Sequence, residues 1–493
     1  MANDLSASVV RDALSVVARH CTGVGHRGVV TAVAPTAAFL GAEALRAGGN
    51  AFDAGVVAAL AETVLIPSKC GLAGDLVALV LPKEADAPES LISVGPAPAA
   101  LAATIESSGL PLTGPLSVGV PGAPAGYEAL ARRGRFDLGQ LAQPAIDLAR
   151  DGFAWSWMTE RLVELSRDLI ESQNPEGTVY LPDEGPHKAG EIVTLPGLAK
   201  ALEEFVTRGS GLFAGPLGEA AVAAITSRGG VMTLEDLGNA RCDWSAPDRC
   251  EIEGRTLWTT PAPTQGAALR VALDGLKQTD STGDVFSRVM AGKHWLSGSL
   301  ADVPAGVEGT SIVTAADGEG NVVVIVHSNS FPRFGSGIVV HDYDLILNNR
   351  AGRGFSAEAD HPNFPRAGQR PATTLHAWAV MAADGDALMG GTPGGENQMS
   401  WNAQTAAHAL GGETDPGRLV AVPRWEWESG GEVLKVEEGF SADELADLSN
   451  RVQRLETVPA LSLIVSEHVV RRRVGAAPTA AVDPRYGGAF VAV

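Results

Sequence analysis

Apolar and polar positions along the chain switch between runs short enough for strands and stretches with helical spacing. Val29 to Val33 is apolar and β-branched and predicts a buried strand. Thr36 to Ala47 suits a helix ended by Gly48-Gly49, because glycine tolerates the left-handed conformation that closes helices. Asn50 is placed to cap a second helix from Phe52 to about Val64, apolar on nearly every side and so expected to be buried all round. Gly71 to Gly74 then turn into a strand over Leu76–Leu81. From Leu116 to Arg228 the pattern is mostly helical, as in "GAPAGYEALARRG", "LGQLAQPAIDLARDGFAW" and "LGEAAVAAITSRGG". Between Leu257 and Gly309 no period is sustained, and "SGSLADVPAGVEG" reads as an exposed connector. Strand patterns return at Val322–Val326, Gly337–Val340, Leu375–Met381 and Leu461–Val465.

One stretch predicts a hairpin. "DGEGN" separates "TSIVTAA" from "VVVIVHS" and holds the residues that tight turns need. Pairing Asp317 with Asn321 puts Thr310 opposite Ser328, with Cβ atoms about 4.5–5.5 Å apart. A bulge in the loop would instead bring His327 or Asn329 opposite. Two readings of Thr310 are open on this geometry. It is an ordinary cross-strand partner, or the chain is cut before it and its freed amine activates its own hydroxyl.

Composition narrows the partners. With 493 residues the chain can hold two or more domains or one large intertwined one, and 45% hydrophobic against 19% charged residues is a globular balance. Lys and Arg total 37 against 58 Asp and Glu, a net −21, without a basic run. That balance argues against nucleic acid or an anionic membrane surface as partner and reads as a well-solvated acidic surface. The first twenty-odd residues resemble an amphipathic helix rather than a signal peptide, and no run of about 18 apolar residues offers a membrane span. Cys21, Cys70, Cys242 and Cys250 form neither a disulfide framework nor a zinc knuckle, which fits a reducing cytoplasm. His341 with Asp342 and Asp344 reads as a turn, and no metal or other cofactor is expected.

Several motifs occur together in a fixed order: "GGNAFDA" at Gly48–Ala54, "QPAIDLARDGF" at Gln143–Phe153, "GGVMTLEDL" at Gly229–Leu237, then Thr310, Asp317, Gly320-Asn321 and "FGSG" at Phe334–Gly337. "LNNR" (Leu347–Arg350), "RPATT" (Arg370–Thr374) and "GTPGG" (Gly391–Gly395) follow. In this order they resemble the gamma-glutamyltransferase family of N-terminal nucleophile hydrolases, from Gly28 to the C-terminus. The resemblance implies an α+β, four-layer αββα sandwich and a proenzyme that cuts itself between Gly309 and Thr310. A large piece, 1–309, and a small one, 310–493, would interleave in one domain and could assemble further as a homodimer of heterodimers. The substrate would be a small-molecule amide or peptide-like compound. Thr310 would be the nucleophile, with an α-amino group of pKa near ~7.7–8.0 as its own base. Ser328 fills the place of a second threonine that orients the hydroxyl. Gly394 and Gly395 would supply oxyanion N–H groups; their other reading is a tight turn, since no Lys-Ser or Lys-Thr follows to make a phosphate loop. Ser330, Thr373 and Thr374 match substrate-binding positions.

The departures concern the substrate. Family members that act on glutathione use an arginine to hold the glutamyl α-carboxylate, and the comparable stretch "SVGPAPAAL" has Gly95 there. They hold the α-amino group with an acid after "LNN", where this chain has Arg350 and Arg353 in "NNRAGRGFS". Ile312 replaces a histidine beyond the Thr310–Ser311 pair. These losses point away from glutathione and toward an acyl group with a carboxylate but no α-ammonium, such as an oxamate-like or glutaryl amide, bound by Arg350 and Arg353. Structural ion pairing of both arginines is the other reading. Two further functions fit the same residues: carbon–carbon cleavage that removes an oxalyl-type unit in natural-product chemistry, and an unprocessed, non-catalytic scaffold.

Overall fold

The computed structural model describes residues 2–299, 309–331, 333–427 and 433–493. Among them the chain builds two seven-stranded antiparallel sheets that lie face to face between two layers of helices. The first sheet runs, strand by strand, through Ala489–Ala492, Gly28–Ala32, Thr310–Asp317, Val322–Ser328, Asp75–Leu81, Glu89–Ser93 and Asp243–Ser245. The second runs through Thr22–Val24, Thr479–Val482, His468–Arg472, Ala387–Gly391, Trp378–Ala382, Arg255–Thr259 and Asp248–Ile252. Residues before 309 and after 310 thus contribute strands to both sheets.

The long apolar helix is Ala51–Leu65, and all of its residues are buried. Its start is a capping box: Asn50 accepts from the N–H groups of Phe52 and Asp53, and Asp53 accepts from the Asn50 N–H at 2.8 Å. A helix without a polar face needs cover on every side. It lies on the first sheet, with Gly55 close against Val323 and Ile325, and under the helix Leu138–Asp151. On the outer face of the second sheet, Leu257, Trp378, Val380, Leu388 and Val469 share a core with the helices Gly266–Leu273, Thr282–Ser299 and Gln398–Leu410.

Those first two helices correct the irregular reading of residues 257–309. Glycines had hidden the period of the second, and one of them has a packing reason: a Cβ on Gly292 would come within 2.9 Å of Ala268 O and Ala272 Cβ, so the glycine lets the two helices approach. Residues 300–308 of the expected connector lie outside the described residues. Three strands also shift. The Leu375 strand begins at Trp378, because Thr373 is held instead by the loop at Pro263–Gln265. The Gly337 strand shrinks to Val339–Val340, since Gly337 turns at φ 86°. Leu461–Val465 is not a strand; Leu461 sits at φ 60°, and pairing starts at His468.

Candidate active site

The hairpin forms in the expected register, Thr310 opposite Ser328 with no bulge between. Its turn chemistry explains why. Asp317 Oδ1 accepts the N–H groups of Glu319, Gly320 and Asn321 at 2.9–3.0 Å. Asp317 Oδ2 takes the Asn321 amide at 2.7 Å and the N–H of Ala51 at 2.9 Å, which ties the turn to the start of the long helix. Alternation along the strands then sorts the side chains. Ile312 points at the second sheet, with its Cδ1 in the space a Cβ on Gly391 would approach at 3.0 Å, so Thr310 lies on that inner face too.

Ser328 is the hub of the open end. Its Oγ lies 2.6 Å from the Gly309 carbonyl oxygen, 2.8 Å from the Ser330 N–H and 3.1 Å from Thr310 Oγ1. A serine hydroxyl carries one proton. That proton goes to the Gly309 carbonyl, so Thr310 donates to Ser328. The bond before Thr310 is thereby polarised at its carbonyl, in a chain turned at Gly309 (φ 147°). Ser330, whose N–H donates to Ser328, holds φ 75°, a conformation costly for a residue with a Cβ.

Beyond Ser328 comes Asp75, its partner on the next strand. Asp75 Oδ2 accepts from Arg350 Nε at 2.6 Å, and both side chains are fully buried. Burial pushes the Asp75 carboxyl up, against the pull of Arg350 and the Gly95 N–H. Asn348 and Asn349 deliver the arginines: Asn348 bonds Ala73 O and both backbone groups of Gly119, and Asn349 bonds Asn329 and Phe331. Arg353 stacks over the Phe331 ring at 4.8 Å and is 8% exposed. Desolvation and then neighbouring Arg350 push it down to about 10. Among the described residues no carboxylate pairs with Arg353, and the charged group that acts on it is the neighbouring cation Arg350. Asp75 Oδ1, Arg350 Nη2, Arg353 Nε, Ser330 Oγ and Asn349 Oδ1 are buried without a hydrogen-bond partner.

Arg350 therefore sides with the ion-pair reading and Arg353 does not. Gly95, where glutathione-type relatives would carry arginine, is packed so closely that a Cβ there would sit 1.7 Å from Val120 O. No side chain fits.

The second sheet adds the remaining candidates. The strand Ala387–Gly391 ends against Ile312, and Gly394 and Gly395 follow at φ 151° and 52°. A Cβ on Gly394 would meet the Trp401 ring at 2.3 Å, so glycine is needed for space as well as conformation. In the helical turn after them, the buried amide of Gln398 has both polar atoms unpartnered. Thr373 Oγ1 accepts from the Leu375 N–H, whereas Thr374 Oγ1 is unpartnered. The Thr374 carbonyl accepts from His376 Nδ1, and Asn402 donates to His376 Nε2 at 2.7 Å. This neutral tautomer agrees with burial pushing His376 down to about 4.

Asp75 and Glu62 were missed by sequence reasoning. Each had a signal: an acid at the mouth of an apolar strand, and an acid deep in a helix that is otherwise apolar beyond its Asp53 cap. Glu62, Cys70 and His327 place donor atoms within 4.8 Å of one another under the hairpin. The group does not suit a cation. Burial and Glu62 push the Cys70 thiol well up, away from the thiolate that binds metals, and Glu62 and His327 bond each other. His341 and Asp342 open a short helical turn that Asp344 closes at φ 46°. Among the described residues no helix is long and apolar enough to cross a membrane.

A sequence model of the gamma-glutamyltranspeptidase family matches residues 37–301 and 294–493. Over 487 residues the chain is 24% identical to the glutathione hydrolase-like YwrD proenzyme of Bacillus subtilis (strain 168), covering 88% of this chain and 92% of that protein. It is 25% identical over 526 residues to the oxamate amidohydrolase proenzyme of Klebsiella pneumoniae subsp. pneumoniae, covering 95% and 99%. The crystal structure of cephalosporin acylase from Bacillus halodurans superposes with a TM-score of 0.82 at 24% identity, over 96% of this chain and 97% of that one. That likeness shows a shared fold.

Proposed function

The chain belongs to the gamma-glutamyltranspeptidase family, and we propose that it is a self-processing amide hydrolase or acyltransferase whose substrates carry a carboxylate on the acyl group. Processing starts with Thr310 Oγ1 attacking the Gly309 carbonyl carbon while the Ser328 hydroxyl meets the developing oxyanion. The peptide shifts from nitrogen to oxygen as the C–N bond breaks and the hydroxyl proton passes to the Thr310 nitrogen; water then hydrolyses the ester, and pieces 1–309 and 310–493 result. The freed amine then takes the proton of the Thr310 hydroxyl as that oxygen attacks a substrate amide. The tetrahedral oxyanion falls to the N–H groups of Gly394 and Gly395, where one donor is typically worth about 2.7–4 kcal/mol. The leaving amine takes the proton, and water or an acceptor amine clears the acyl-enzyme.

The observation that carries the acyl preference is Arg353, a buried guanidinium stacked on Phe331 beside Arg350 of the Arg350–Asp75 pair, without a carboxylate partner among the described residues. A buried charge left unpaired is costly, and a substrate carboxylate would complete the set. The relative named for oxamate, itself the half-amide of a dicarboxylic acid, supports the same class. A panel of amides with and without a terminal carboxylate tests it. Arg353→Gln should lower kcat/KM on acidic amides roughly 10- to 150-fold, equivalent to about 1.5–3 kcal/mol of transition-state stabilisation, and leave neutral amides little changed. Equal loss on both, or an unchanged preference, overturns it.

A further inference from the structure

Behind the nucleophile, on the helix side of the same hairpin, lies a cluster that the proposed chemistry leaves unused. Ser311 and His327 form the next cross-strand pair after Thr310 and Ser328, and alternation turns them toward the helices. Both reach Glu62, which is fully buried on the long helix. Ser311 Oγ donates to Glu62 Oε2 at 2.7 Å, His327 Nε2 donates to the same oxygen at 2.9 Å, and the Ala34 N–H donates to Oε1 at 3.0 Å. The Tyr127 hydroxyl lies 2.7 Å from His327 Nδ1. Burial keeps that phenol protonated, so it donates to Nδ1 and leaves the ring proton on Nε2, aimed at Glu62. Among the described residues none of these side-chain atoms is without a partner.

From this geometry we infer that Glu62 is a positioning residue for the nucleophile. It touches neither substrate nor scissile bond. It clamps the residue after Thr310 and the residue before Ser328, at the open end of a hairpin where strands otherwise fray. The need grows after processing. Thr310 then begins a chain with nothing upstream to hold it, and Ser311–Glu62 is the first side-chain anchor inside that new terminus. A loosened anchor would let Thr310 Oγ1 drift from Ser328 and from the attacked carbonyl, and misplacement by about 1 Å can cost on the order of 10²-fold in rate.

The inference rests on Thr310 as nucleophile, so Thr310→Ala is run alongside as the control for that premise. Full-length Glu62→Gln, Ser311→Ala and Ser311→Thr are compared with the parent. The readouts are the rate at which the fragment starting at Thr310 appears, the Tm, and kcat and KM measured separately on the preferred amide. Glu62→Gln should slow processing and lower kcat by roughly tenfold or more, with KM within about twofold, because the groups proposed to bind the acyl carboxylate do not contact Glu62. Ser311→Ala, the gentler change, should slow both several-fold, and Ser311→Thr, which keeps the hydroxyl, should restore them. Should Glu62→Gln fail to fold, the two serine variants decide. Parent rates in Ser311→Ala, a loss that falls on KM, or failure of Ser311→Thr to restore would each overturn the inference. Cleavage persisting in Thr310→Ala would instead overturn the assignment of the nucleophile.

Discussion

On one face of the hairpin's open end, Ser311 and His327 meet Glu62 and Tyr127, and every polar side-chain atom of the four is paired. On the other face, one residue away along the strand, Ser328 meets Ser330, Asp75 on the next strand meets Arg350, and Arg353 lies beside Arg350. There Asp75 Oδ1, Arg350 Nη2, Arg353 Nε and Ser330 Oγ are buried and unpaired. Both faces put ionisable groups out of water, where an unmet hydrogen bond costs about 1–3 kcal/mol. The paired face is therefore self-sufficient and serves as a support. The unpaired face is an incomplete set of contacts, and the proposed acyl carboxylate is what would complete it.

Thr310→Ala should have the largest effect: full-length chain only, by denaturing electrophoresis and mass spectrometry, and no measurable amide turnover. A second band starting elsewhere would move the site off this hairpin. Next comes Asp75→Asn, which strips Arg350 of its buried partner. Breaking such a pair costs about 3–5 kcal/mol, read as a fall in Tm or in the denaturant midpoint. A variant as stable as the parent would mean that Arg350 already has access to another anion or to water. Arg353→Gln should behave in the opposite way from Asp75→Asn. It removes a cation that has no partner, so stability should stay within about 1 kcal/mol of the parent or rise while turnover of acidic amides falls.

The smallest effect separates the two faces from the sheet behind them. Burial pushes His376 down to about 4 and His468 down to about 3, both below the value near 6.5 of an unfolded histidine. The unfolded chain therefore binds protons that the folded one refuses as pH drops from 6.5. The stability these groups allow is complete above pH 6.5 and is lost progressively toward pH 4. Thermal melts from pH 7 to pH 5 should show it, and His376→Gln should flatten the slope. An unchanged slope would assign acid sensitivity to other groups.

Local chemistry was legible from the residues alone. The Asp317–Asn321 turn carries its own hydrogen bonds within five residues, so the register of Thr310 with Ser328 followed from the quoted stretch. The Asn50 cap and the mostly apolar helix were equally local. The helix over 282–299 was not, because Gly292, placed for close packing, looks like a break until the neighbouring helix 266–273 is seen.

Which arginine is spoken for could be settled only in three dimensions. Arg350 finds Asp75 across 275 positions of chain, and Glu62 finds His327 across 265. Neither spacing has a period to read, since such pairs exist only once two sheets and a helix layer have closed around them. The order of residues determined the hairpin, its turn and the family. Packing decided which buried charges are satisfied, because desolvation and pairing are properties of a place in the fold and not of a place in the chain.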